Sequence, residues 1–337
     1  MKTKNWLLVV LVTCVAALPL YAQNFGPKGD DSAQSFGKFW ILIDPAYQPM
    51  FAGCPASVYD PATHVLQSPT LYENGTIIGR SKSIKEGTPA DNAGVPVGNA
   101  NVPVRDAGMV LPSGFTPIAP GSNEVHTELH HLNMVTFGGG PIARVRAGVC
   151  YNGVACPSAP PPNRISRGEV VSNNATPGAS PDFPARSYFN VFAQIDIPAC
   201  GGFPGATVFN SKPLLVHTPS ISSFPPSGVV YMHDSSSAVG VKFVTSGKHG
   251  KKNERLGCVI LAGHGIIPTF HRAELESTPS AVPVALQQPE RAEKMRPQPN
   301  KEEVEREARR FEEHMKGEQE REGGRHKDCG PKEKDDN

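Results

Sequence analysis

Residues 187–197 read SYFNVFAQIDI, and this stretch decides the fold class. Phe189, Val191, Phe192, Ile195 and Ile197 are aromatic or β-branched, the side chains that suit a pleated, half-buried surface. Runs of similar character flank it. Residues 125–135 and 142–149 predict two strands joined through Gly138, Gly139 and Gly140. Further runs follow at 207–209, 214–217, 228–232, 239–244 and 258–262. Short strands at this spacing indicate a sandwich or a barrel. The expected fold is mainly β, a sandwich-like antiparallel domain over residues 105–272.

Composition agrees with that reading. The 337 residues include 33 glycines and 34 prolines, about a fifth of the chain against a usual ~12 %. Such punctuation breaks helices and favours short strands between turns. Residues 38–120 alternate short apolar runs with proline and glycine clusters, and residues 23–37 are polar, so 23–104 is expected to be a loop-rich β segment whose first part, 23–37, is loose. No P-loop and no alternation of strand and helix occurs, which argues against a doubly wound nucleotide-binding fold. The formal charge of +1 gives no whole-chain field to draw nucleic acid or an acidic membrane. A compact basic stretch, 248–252, reads as a solvated hairpin tip.

The two ends differ from the middle. Lys2 and Lys4 precede an apolar run of about fifteen residues, and Ala22 supplies a small residue before Gln23. Residues 1–22 therefore predict a secretory signal peptide and a secreted, periplasmic or envelope location. Nothing later reaches the ~20 apolar residues of a membrane span. Removing the signal takes Cys14 and leaves Cys54, Cys150, Cys156, Cys200, Cys258 and Cys329. An even count in an oxidising compartment favours disulfides, and Cys150 with Cys156, flanking a turn-rich loop, is the expected pair. The connectivity of the other four stays open. No C-x-x-C pair exists to suggest a zinc ribbon or a thioredoxin-like site.

Residues 273–300 form a proline-interrupted linker, and 301–322 predict a charged helix. Val304, Ala308, Phe311 and Met315 recur at four, three and four residues, a narrow apolar stripe. Glu302 with Arg306 and Glu305 with Arg309 have helix-supporting spacing. The expectation is a solvated helix projecting from the body, with self-association or partner docking through its stripe as the alternative. Residues 323–337 read as a disordered tail.

His126, Glu128, His130 and His131 are the densest group of ligand-type residues. On a strand, alternation puts His126, Glu128 and His130 on one face, about 7 Å from neighbour to neighbour. Two imidazoles and a carboxylate so placed suit zinc, copper or non-haem iron, with His217, His233, His264 and His271 as further donors. The competing reading is a polar strand face with no metal. No G-x-S-x-G elbow marks a serine nucleophile, and no catalytic residue or cofactor is indicated.

The order of motifs from 121 to 270 resembles a group of secreted, β-rich bacterial proteins of unknown function. The matching features are EVHTEL at 124–129, GEV at 168–170, DFP at 182–184, SYFNVF at 187–192 and PPSGVVY at 225–231. Members of that group often end in a Pro-Glu-Pro sorting tail, which is absent here. The resemblance implies export and β structure and attaches no metal role to EVHTEL. The sequence thus points to an exported, non-catalytic binding or structural module. The alternative is a metal-binding protein or metal-dependent enzyme using His126, Glu128 and His130.

Overall fold

The computed structural model describes residues 24–85, 95–97, 100–102, 121–138, 143–148, 166–174, 176, 181–226, 228–233, 238–247, 250–267, 301–322 and 329. In chain order the strands are β1 (Gly29–Ile43), β2 (Tyr59–Asp60), β3 (Val65–Gln67), β4 (Leu71–Arg80), β5 (Ile84–Lys85), β6 (Val95–Val97) and β7 (Ala100–Val102). Then come β8 (Asn123–Thr136), β9 (Arg144–Ala147), β10 (Arg167–Ser172), β11 (Ala185–Val191), β12 (Ala193–Ile197) and β13 (Ala206–Asn210). The last are β14 (Leu214–Ile221), β15 (Val229–His233), β16 (Val239–Phe243) and β17 (Arg255–Ile267), followed by helix α1 (Lys301–Glu322).

The protein is mainly β, as the sequence indicates, and its large sheet closes on itself instead of splitting into two facing sheets. β8 pairs with both β9 and β10, its later half with β9 and its earlier half with β10. Along the next line β12 pairs with β9 and β13, while β11 pairs with β10 and β14. β13 and β14 meet β16 and β15, which both meet β17. β17 returns to β1, β1 to β3 and β4, and β4 to β8. Among the described residues the sheet is thus a closed, antiparallel, up-and-down barrel of eight staves: β1, β3/β4, β8, β9/β10, β11/β12, β13/β14, β15/β16 and β17. The stretch 187–197 spans one stave, interrupted at Phe192.

Closure needs the N-terminal residues. β1 begins at Gly29, inside the segment expected to be loose, and pairs on one edge with β4 and on the other with β17. Within the segment expected to be loop-rich, β1, β3 and β4 are barrel staves. Polar residues at 30–34 hid this strand. Asp31 lies against Arg80 at 3.5 Å, and Ser35 shares a 2.6 Å hydrogen bond with Thr76, so the polarity is answered across the sheet.

Aromatic clusters lie toward both ends. Phe51 stacks on Phe203 at 4.5 Å and on Tyr59 at 5.2 Å, while Tyr47 meets Phe243. At the other end Phe25 meets Phe183 edge-on at 5.1 Å, and the Phe25 backbone N–H donates to Asp182 at 2.7 Å.

The helix does not project; it docks on the outer face of β17 and β1. Val304, Ala308, Phe311 and Met315 are buried with Phe36, Trp40, Leu261 and Ile267. Two glycines on β17 make the approach close. A Cβ at Gly263 would sit 2.1 Å from the Met315 sulfur, and one at Gly265 would sit 2.8 Å from the Phe311 ring. Thr70 donates to Glu312 at 2.6 Å, and Phe311 stacks on Phe36 at 5.9 Å. The exposed side carries ion pairs such as Arg306–Glu303 and Arg310–Glu307 at three-residue spacing; exposed pairs of this kind contribute little.

Two disulfides are formed, Cys54–Cys200 and Cys258–Cys329. The second fixes Cys329, within the tail expected to be disordered, to β17. Cys150 and Cys156, residues 1–22 and residues 273–300 lie outside the described residues. Cys54–Cys200 closes 146 residues of chain, so chain-entropy arguments make it worth about 3–5 kcal/mol. The Cys54→Ser/Cys200→Ser variant is expected to lose stability of that order in chemical denaturation under oxidising conditions.

Candidate ligand-binding lumen

Strand alternation along β8 sorts its side chains. Leu129 faces the barrel interior, which places Glu124, His126 and Glu128 on the outer face. All three are nonetheless buried, as is His130. His126 and Glu128 share a face as the spacing predicts, and Glu128 reaches His130 at 3.4 Å. The rings do not converge. His126 Nε2 turns to Glu124 at 3.1 Å, His130 Nδ1 to Asp30 at 3.2 Å, and Glu128 also faces Arg167 at 3.7 Å. His131 pairs with Glu73 at 3.1 Å. Among the described residues, no group of three or more His, Cys, Asp or Glu side chains is arranged to hold a metal ion. His126, Glu128 and His130 instead belong to a buried network of ion pairs between β8, β1 and β10.

His130 has a consequence for pH. Burial opposes its charge, but hydrogen bonds to Asp30 and Glu128 outweigh that and push its pKa up to about 9. A folded pKa above the unfolded value of ~6.5 means stability is fully present below pH ~6.5 and is lost as pH rises through about 9. Denaturation midpoints are expected to fall across that window in the wild type and to fall less in His130→Asn.

The interior is the other candidate. A cavity of about 80 Å³ runs inside the barrel, several times the ~10–15 Å³ that one water molecule needs, so the space exceeds a packing defect. Phe39 from β1, Leu71 and Ile78 from β4, and Leu129 and Met134 from β8 line one side. Val145, Phe189, Ile195, Val216, Tyr231 and Ala262 continue the wall, so each of the eight staves contributes. An eight-stranded barrel is just wide enough to be filled by side chains or to hold one small ligand. Here the side chains leave space.

Lys38 borders the cavity with its ammonium over the outer Trp40 ring, and two further side chains with polar atoms stand in this wall. Tyr231 donates its hydroxyl to Ser187 at 2.9 Å, and burial drives its pKa upward. His264 faces it across the β15–β17 register with ring centroids 6.5 Å apart. Burial alone depresses the His264 pKa to about 4. His264 is part-buried and borders the cavity. Of the other histidines considered as metal donors, His217 and His233 lie on β14 and β15, and His271 lies outside the described residues. The signal for the lumen was present in Ala262-x-His264-x-Ile266: a histidine on an otherwise apolar inward face of β17.

No family model matches the chain, and no curated protein matches it. Among solved structures, DynF from the dynemicin biosynthesis pathway of Micromonospora chersina is similar over 77 % of this chain and 90 % of that one. The sequence identity is 13 % and the TM-score 0.41, too distant to argue fold or function.

Proposed function

We propose that this chain is an exported, non-catalytic binding protein that holds an apolar small molecule inside its barrel. The observation that carries the reading is the lumen, a space bordered by apolar side chains from every stave. Ligand sites are concave and mostly apolar, with few polar groups. The distribution of polarity also fits a barrel in water. Apolar residues face inward, and the outer apolar stripe on β17 and β1 is covered by α1. A membrane barrel has the inverse pattern, with an apolar outer band around a polar interior.

Export is supported by the signal-like residues 1–22 and by the two disulfides, which suit an oxidising compartment. Among the described residues no helix is long and apolar enough to cross a membrane, which is compatible with a secreted protein. The apolar stripe of α1 is engaged within the chain, so the stripe itself gives no surface for self-association.

The test is titration of the oxidised protein with N-phenyl-1-naphthylamine, a dye whose emission rises in apolar surroundings. Saturable binding of one dye per chain is expected. A linear, unsaturable response would contradict the reading.

A further inference from the structure

We propose that a ligand enters and leaves the lumen past Phe25, whose ring closes one end of the barrel as a gate. This rests on the lumen being a ligand site and adds the route to it.

The register places the gate. β8 and β11 both run antiparallel to β10 and so point the same way, while β14 runs opposite to β11. Val125 precedes the lumen residue Leu129 on β8, and Ala185 precedes Phe189 on β11. Ile221 follows Val216 on β14. Val125, Ala185 and Ile221 therefore form one layer beyond the lumen, all at the same end, and Val170 joins them. Phe25 is buried in that layer. A three-residue turn, in which the Gly26 N–H donates to the Asn24 carbonyl at 2.9 Å, brings the chain back so that the ring seats there.

The two ends of the barrel are held differently. At the far end Phe51 stacks on both Tyr59 and Phe203, and Cys54–Cys200 bonds the two loops that carry Phe51 and Phe203. Those loops are in close contact, since a Cβ at Gly201 would lie 2.4 Å from the Ala52 carbonyl oxygen. At the Phe25 end no disulfide is present among the described residues. Phe25 is held there by its edge-on contact with Phe183 and by its N–H to Asp182. Arg80 adds to this, lying beside Gly26 and over the Phe224 ring at 5.1 Å. Phe25 precedes β1, which begins at Gly29, so moving it aside breaks no pairing between staves. Opening the far end instead requires two covalently joined loops to separate. The easier passage is the one that Phe25 closes.

The experiment follows N-phenyl-1-naphthylamine by stopped-flow fluorescence with oxidised wild type, Phe25→Ala and Phe203→Ala. Phe25→Ala is expected to speed both association and dissociation by about tenfold or more, the bias that a buried phenyl ring gives a closed state over an open one. The dissociation constant should change far less than either rate. Phe203→Ala, the same truncation at the disulfide-bonded end, should leave both rates near wild type. Unchanged rates in Phe25→Ala, or equal acceleration in the two variants, would overturn the inference while leaving the ligand site standing. Absence of saturable dye binding to wild type would instead remove the ligand site itself. Should Phe25→Ala not fold, Asp182→Ala takes its place, because it removes the acceptor of the Phe25 N–H and keeps the ring. Faster dye exchange is expected there too, and exchange no faster than wild type would overturn the inference.

Discussion

Ala262→Phe is expected to bind N-phenyl-1-naphthylamine about a hundredfold more weakly than wild type. Ala262 is on β17 with its side chain at the cavity wall. A phenyl ring there takes the space that a ligand would use. Denying a ligand some 110 Å² of apolar contact at ~25 cal/mol/Å² removes about 3 kcal/mol, or two decades of affinity. The added ring enters a void, so the penalty that overpacking imposes on a filled core should be small. Near-UV circular dichroism and the denaturation midpoint report whether the barrel is intact. Unchanged dye affinity in a folded Ala262→Phe protein would place the dye elsewhere.

Phe311→Ala is expected to cost about 3–5 kcal/mol, in the range of large aromatic truncations in cores. Phe311 packs over Gly265 and stacks on Phe36, at the centre of the interface between α1 and the barrel. The remainder of α1 is strongly charged, and an isolated helix of this length is only marginally stable in water. Loss of the central contact should therefore release and melt the helix, read as a lower far-UV helical signal and a melting temperature lower by roughly 10 °C. Cys258–Cys329 keeps the released segment tethered, so reduction should deepen the effect. A substitution on the exposed side, Arg310→Ala, should change stability by less than about 0.5 kcal/mol. Equal effects of the two substitutions would contradict the docked arrangement.

Local features of the fold were legible, and long-range ones were not. Strand composition and period located β8, β11, β12 and the later strands, and the four-three-four spacing located α1 with its buried residues. Closure was hidden because it depends on β1 pairing with β17, more than 200 residues away, and periodicity carries no information about partners. β1 was further obscured by Asp30, Asp31, Ser32 and Gln34; the partners of the two aspartates, His130 and Arg80, come from other strands. Two sheets facing one another and one closed sheet both need short strands with apolar inward faces, so a sandwich and a barrel read alike at that level.

The same limit shaped the reading of the sites. Alternation correctly put His126 and Glu128 on one face, but the groups that claim the rings include Asp30 on β1 and Glu124 two residues away. Spacing on a single strand cannot reveal such competitors. The disulfides followed the same logic: the sequence left Cys54, Cys200, Cys258 and Cys329 unassigned, and closure brings them together in pairs. His264 read as one metal donor among several, and closure places it at the cavity wall among apolar residues of the other staves.

The most direct test of the central claim is an isotope-filtered NOE experiment on the methyl-labelled protein with bound N-phenyl-1-naphthylamine. The account predicts contacts from the ligand to Leu129, Val216 and Ala262, methyls on three different staves that meet only inside the barrel. Contacts confined to outer methyls such as Leu261 and Val304, or none at saturating ligand, would contradict it.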